Sequence, residues 1–115
     1  MAAEKNFENR VKKFLESVDC WLVKFFANAY TKRGVPDLLV CCNGYFIGVE
    51  LKAPNGKPSE LQKWNVNNIN KSGGIAVVLY PDQFDLFKEL IWHLNNADHH
   101  RARNITRRIN ERWDK

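Results

Sequence analysis

The sequence predicts an α/β fold, a central mixed sheet flanked by helices, with further helices at the carboxyl end. Three observations carry the prediction. An apolar stripe of helical period opens the chain, two apolar runs meet across Asn43-Gly44, and a helix-patterned stretch leads into a third apolar run, Ile75 to Tyr80.

Phe7, Val11, Phe14, Leu15 and Val18 fall on one face of a helix from about Glu4 to Val18. Trp21 to Phe26 is short, aromatic and partly β-branched, which reads as a strand. A polar loop follows, from Asn28 to Gly34. Asp37 to Cys42 and Tyr45 to Lys52 flank Asn43-Gly44, the signature of a hairpin with a type I′ turn. Both arms are apolar on both faces, so the hairpin is expected in the middle of a covered sheet. Ala53 to Pro58 is a loop, and Ser59 reads as the N-cap of a helix carrying Leu61, Trp64 and Ile69 that stops near Gly73-Gly74. After the Ile75–Tyr80 strand, Asp82 is expected to cap a helix bearing Phe84, Phe87, Leu90, Ile91 and Leu94. A last helix, from about Asp98 to Trp113, carries Ala102, Ile105, Ile109 and Trp113 among five arginines. The element order is α-β-β-β-α-β-α-α.

A length of 115 residues suits one domain, here a core over about 4–80 and a helical extension over about 82–115. Fourteen aromatic residues, seven Phe, four Trp and three Tyr, supply enough apolar surface for a core without disulfides or a structural metal. The net charge of +5 favours polyanionic partners. Cys20, Cys41 and Cys42 are odd in number, two of them are adjacent, and no signal peptide precedes them. They are expected to be small apolar residues of a reducing, cytoplasmic compartment. No apolar run approaches the length of a membrane span. His93, His99 and His100 show no ligand spacing.

The chemistry is expected at the open end of the hairpin. With Cys42 opposite Tyr45, stepping back along both arms puts Asp37 opposite Glu50, with Cβ atoms about 5 Å apart. Lys52, two residues on, points to the same face. Two carboxylates so close repel when ionised, and folding alone supplies no reason to put them there. A hard divalent cation does: Mg²⁺ takes oxygen ligands and keeps waters for a substrate phosphate and a nucleophile. Lys52 then positions the attacking water or helps to deprotonate it. The bland alternative is a mutually neutralising surface cluster at a strand end.

Lys32-Arg33-Gly34-Val35-Pro36-Asp37 and Gly48-Val49-Glu50-Leu51-Lys52-Ala53 are followed by Lys57-Pro58-Ser59-x-x-Gln62 and by Gly73-Gly74 before an apolar strand. In this order the blocks resemble the virus-type replication-repair nucleases, the VRR-NUC family of the PD-(D/E)xK superfamily, over about residues 6–80. The resemblance implies a restriction-endonuclease-like αβββαβ core, in agreement with the element order read above. It also implies a stand-alone, phage-type member acting in the cytoplasm of a bacterial host.

It implies two more active-site residues. Glu8 matches the family's glutamate on the first helix, facing the metal directly or through water, and Gln62 matches a glutamine after the motif. Glu8 otherwise reads as a solvated helix charge, and Ser59-x-x-Gln62 as a capping box. Leu51 would lend its backbone carbonyl to the metal. The implied activity is Mg²⁺-dependent hydrolysis of DNA, with Mn²⁺ substituting, on branched substrates such as Holliday junctions, by a homodimer. Lys32, Arg33, Lys57, Lys63 and Arg101 are candidate DNA contacts, each also readable as a solvated charge. Trp92 and Trp113 are the first places to expect a dimer contact, or simply core. A flap, nick or single-strand nuclease, and a basic DNA-binding module without catalysis, stay open as alternatives.

Overall fold

The structure, a computed structural model, describes residues 2–114. In chain order its elements are α1 (Ala2–Ser17), β1 (Trp21–Lys24), β2 (Leu38–Cys42), β3 (Tyr45–Leu51), α2 (Glu60–Lys71), β4 (Ile75–Leu79), α3 (Phe84–Asn95) and α4 (His99–Asn110). The expected order holds, with a short 3-10 turn, Pro81–Gln83, ahead of α3.

The four strands lie in the order β1-β2-β3-β4, the first three antiparallel and β3 parallel to β4. The expected hairpin sits at the centre. Asn43 and Gly44 have φ of 50° and 84°, as a type I′ turn requires. The turn fixes the register: Cys42 faces Tyr45 and Leu38 faces Val49. Parallel β3 and β4 need a crossover, which α2 supplies.

Alternation along the strands sorts side chains onto two faces. Leu38, Val40, Cys42, Ile47, Val49, Leu51, Ile75, Val77 and Leu79 are buried with residues of α1, α3 and α4. On the other face Ala76, Val78 and Tyr80 pack against Val66 and Ile69 of α2 and against Trp113. Helix α1 buries Phe7, Glu8, Val11 and Leu15, which share one face, so a carboxylate travels inward with the apolar stripe. The outer edge of β4 meets amides instead of a fifth strand. Asn70 accepts from the Ala76 N–H, Asn110 accepts from the Val78 N–H, and both donate to the Ala76 carbonyl.

Several expectations are corrected. Cys20 and Cys42 form a disulfide, with Cα atoms 4.8 Å apart. Trp21 pairs with Cys41, so Cys20 stands across from Cys42; sequence spacing does not show that juxtaposition. Cys41 is free and exposed. Phe25 and Phe26 lie beyond β1. Asp82 does not cap α3, whose N-cap is Gln83 without a side-chain bond; Asp82 pairs with Arg112 instead. Leu61 and Trp64 are exposed, and α2 buries Asn65 and Val66. Trp113 is buried core, which removes it as a dimer contact, whereas Trp92 is exposed. Cover over the hairpin is incomplete near its turn, where Cys41 and Phe46 are exposed. Among the described residues, no helix is long and apolar enough to cross a membrane.

Candidate active site

The site lies at the end of the hairpin away from its turn. Asp37 stands one residue before β2, and its backbone carbonyl accepts from the Phe25 N–H at 2.8 Å. Two close backbone approaches hold it there. Gly34 has φ +77°, and a Cβ on it would lie 2.9 Å from the Leu61 carbonyl carbon. A Cβ on Gly48 would lie 2.9 Å from the Pro36 ring. The glycines thus let the segment carrying Asp37 lie flat between β3 and α2. Asn65 fixes the same segment by donating to the Arg33 carbonyl at 3.1 Å.

Asp37 and Glu50 come together as the register requires. Asp37 Oδ2 accepts from the Leu51 N–H at 2.9 Å. Glu50 is 3% exposed and points to the α2 face. Its Oε2 accepts from Gln62 Nε2 at 3.0 Å and lies 3.6 Å from Lys52 Nζ. Its Oε1 is buried and has no hydrogen-bond partner. Burial pushes the Glu50 carboxyl up to about 8, with the neighbouring Asp37 charge adding to the rise and Lys52 opposing it. A carboxyl that is buried, half-partnered and beside a second carboxylate is unfavourable when ionised, unless a cation joins it.

Gln62 closes the capping box of α2 and also reaches Glu50. Its Oε1 accepts from the Ser59 N–H at 2.9 Å while Ser59 Oγ accepts from the Gln62 N–H at 3.1 Å, completing the capping box. With the amide oxygen so fixed, the amide NH₂ is aimed at Glu50.

Glu8 comes from α1, on the other side of the sheet. Both its oxygens hold ammonium groups, Oε1 that of Lys24 at 2.8 Å and Oε2 that of Lys12 at 3.4 Å. Burial pushes the Glu8 carboxyl up, but the bonds and charges of Lys24 and Lys12 outweigh it, and the net shift is downward. Lys24 Nζ also lies 3.6 Å from Asp37 Oδ1. Burial lowers the Lys24 pKa, Glu8 and Asp37 raise it more, and the ammonium form prevails. Sequence reasoning missed Lys24. The available signal was alternation: Trp21 and Val23 are exposed, so Leu22 and Lys24 face inward.

The residues present suit a hard cation. Asp37, Glu50 and the Leu51 carbonyl are oxygen donors, and the partnerless Oε1 is an open acceptor. Among the described residues, no three of His, Cys, Asp and Glu converge on one point. Water would have to complete the shell, as Mg²⁺ commonly requires.

The candidate DNA contacts divide. Lys32 lies over the Trp64 ring, 5.4 Å from its centroid, on the surface formed by the Gly34 segment and α2. Arg33 adjoins it. Lys57 and Lys63 line a cleft of about 730 Å³ with Tyr80 and Arg112, beside the loop between Lys52 and α2. Arg101 lies at the start of α4, paired with Asp98. That end is remote from the carboxylates: α3 stops beside the hairpin turn, where Asn43 donates to the Leu94 carbonyl, and Arg103 donates to the carbonyls of Gly73 and Gly74 ahead of β4. A second cleft, of about 640 Å³ between α2 and α4 and lined by Asn67, Arg103 and Arg107, touches none of Glu8, Asp37 and Glu50.

No family model matches the sequence, and no curated protein matches it. A solved structure described as a "VRR_NUC domain" does. It is 29% identical to this chain, superposes with a TM-score of 0.62, and the alignment covers 79% of this chain and 96% of the other. The chain is thus similar in sequence and in fold to a VRR-NUC domain. The mixed sheet and its flanking helices are accordingly those of a VRR-NUC domain, a PD-(D/E)xK-like fold.

Proposed function

We propose that this chain is a metal-dependent, structure-specific endodeoxyribonuclease, resembling Holliday junction resolvases, that hydrolyses DNA phosphodiester bonds. The observation that carries the reading is Glu50: buried, with one oxygen lacking a partner, beside Asp37 and within 3.6 Å of Lys52. Asp37, Glu50 and the Leu51 carbonyl would hold Mg²⁺, or Mn²⁺ in its place. A bound cation of this kind supplies Lewis acidity toward a phosphoryl oxygen and toward water.

The chain's own groups do the rest. Gln62 keeps Glu50 oriented through its anchored amide. Lys52, half-buried, holds its ammonium at the edge of the carboxylate pair, where it can orient an attacking water and stabilise charge on a phosphate. Lys24 and the Leu51 N–H keep Asp37 in place from two sides. Lys57 and Lys63 flank this end of the sheet, Lys32 lies along α2 over Trp64 with Arg33 next to it, and all four suit phosphate contacts that position the duplex without reading its sequence.

The test is cleavage of labelled four-way, flap, nicked and linear DNAs with Mg²⁺ and with chelator, using wild type and Glu50→Gln. Mg²⁺-dependent cutting of four-way DNA, lost in the variant, supports the reading. Cutting confined to flaps or single strands moves the substrate assignment, and binding without any cutting leaves a DNA-binding module.

A further inference from the structure

We propose that Lys24 is a positioning residue standing where a second cation would otherwise sit, so that each protomer takes one divalent ion. The inference rests on the metal-nuclease reading above.

The site contains three carboxylates but offers them unequally. Glu50 Oε1 is buried with no partner. Both Glu8 oxygens, in contrast, already hold ammonium groups. The Lys24 ammonium spans the gap between Glu8 Oε1 and Asp37 Oδ1, at 2.8 and 3.6 Å. A dication at that place would share both oxygens with a tethered charge that is part of the fold. To bind, it would have to expel that charge and meet Lys12 as well.

Topology makes Lys24 suited to the task. Glu8 arrives on α1, which covers one face of the sheet, while Glu50 points toward α2 on the other. Lys24, the last residue of β1, reaches round the end of β2 to join Glu8 to Asp37. Lys24 and the Leu51 N–H each engage one oxygen of Asp37, which keeps further lone pairs to offer. The structure therefore assigns one open cation place to the Asp37–Glu50 pair and a filled one to the Glu8–Asp37 pair.

The test is Mn²⁺ stoichiometry, by calorimetry and by electron paramagnetic resonance, on the intact protein without DNA. Wild type is expected to bind one Mn²⁺ per protomer with an uncoupled spectrum. Lys24→Met keeps an apolar stem and removes the charge; it is expected to bind two, with the spectrum of a coupled pair. Lys24→Arg restores a cation and should return the count to one. Two ions in wild type overturn the inference, and this arm needs no variant to fold. A count of one in Lys24→Met, with an unchanged melting temperature and affinity, overturns it also. No Mn²⁺ bound to wild type at all would sink the underlying metal-nuclease reading.

Discussion

Glu50 concentrates the conflict between folding and chemistry. Its carboxyl keeps a proton up to about 8 in the folded, metal-free protein, against 4.5 for an ordinary glutamate. Its contribution to stability is complete below 4.5 and is lost as pH rises through 8, because the unfolded chain gives up the proton first. In chelator the melting temperature of wild type should fall across this window. Glu50→Gln should fall less, and be the more stable protein at its upper end. Parallel pH profiles of the two proteins check this. The same substitution, like Asp37→Ala, should abolish cleavage and weaken Mn²⁺ binding in calorimetry; unchanged affinity in both would remove these residues from the metal site. Lys52 is a different case, since an ammonium is no ligand. Lys52→Ala should lower kcat on the order of 10²–10⁴-fold, the usual contribution of a positioned acid–base group, while Mn²⁺ affinity stays near wild type. Lys52→Arg should rescue little, because a guanidinium has another shape and does not exchange its proton.

At the scale of elements, α2 ties the fold to the site through its first turn. Ser59→Ala should cost about 1 kcal/mol by denaturant titration, as for other N-caps. Because the capping box also anchors the Gln62 amide, the variant should lose activity beyond what its stability predicts. Full activity in a correctly destabilised Ser59→Ala would show that Gln62 needs no anchor. The segment from Phe25 to Asp37 begins and ends at the site, and Lys32 rests on Trp64. Lys32→Ala and Arg33→Ala should each weaken binding to all DNAs similarly and reduce the salt slope by about 1; an unchanged slope would count against phosphate contact. These elements also show what a sequence can and cannot reveal. The hairpin register was readable because a two-residue turn fixes which residues face each other, and that register joins Asp37 to Glu50. The α2 cap was readable because its partners are three residues apart. The Cys20–Cys42 bond and the Lys24 bridge were not, since both depend on how β1 pairs with β2 across a long loop. The exposure of Leu61 and Trp64 was not legible either: the buried face of α2 near its start is taken by Asn65, which donates to the Arg33 carbonyl.

Over the whole molecule, the carboxylates, Lys52 and the Lys57–Lys63 cleft gather at one end of the sheet, and the hairpin turn and Arg101 at the other, with Lys32 in a groove beside Phe46, Ser72 and Gly74. Arg101→Ala should therefore change DNA affinity less than Lys57→Ala. This arrangement bears on assembly. On the proposed function, one Asp37–Glu50–Lys52 site in a 13.4 kDa protomer would cut one strand at a time. Resolving a four-way junction takes paired cuts on two strands related by approximate two-fold symmetry. A C2 dimer, the commonest assembly, presents two such sites in matching relation. The prediction is a homodimer, at least on DNA. Light scattering should give twice the protomer mass, and mixing wild type with Asp37→Ala protomers should yield a heterodimer that nicks the junction without resolving it. Trp113 plays no part in the contact, being buried in its own protomer, while Trp92 is exposed. Resolution at full rate by the mixed population, with no nicked intermediate, would show that the sites do not act as a pair. A protein that stays monomeric on DNA would shift the substrate to flaps or single strands, which one site can process alone.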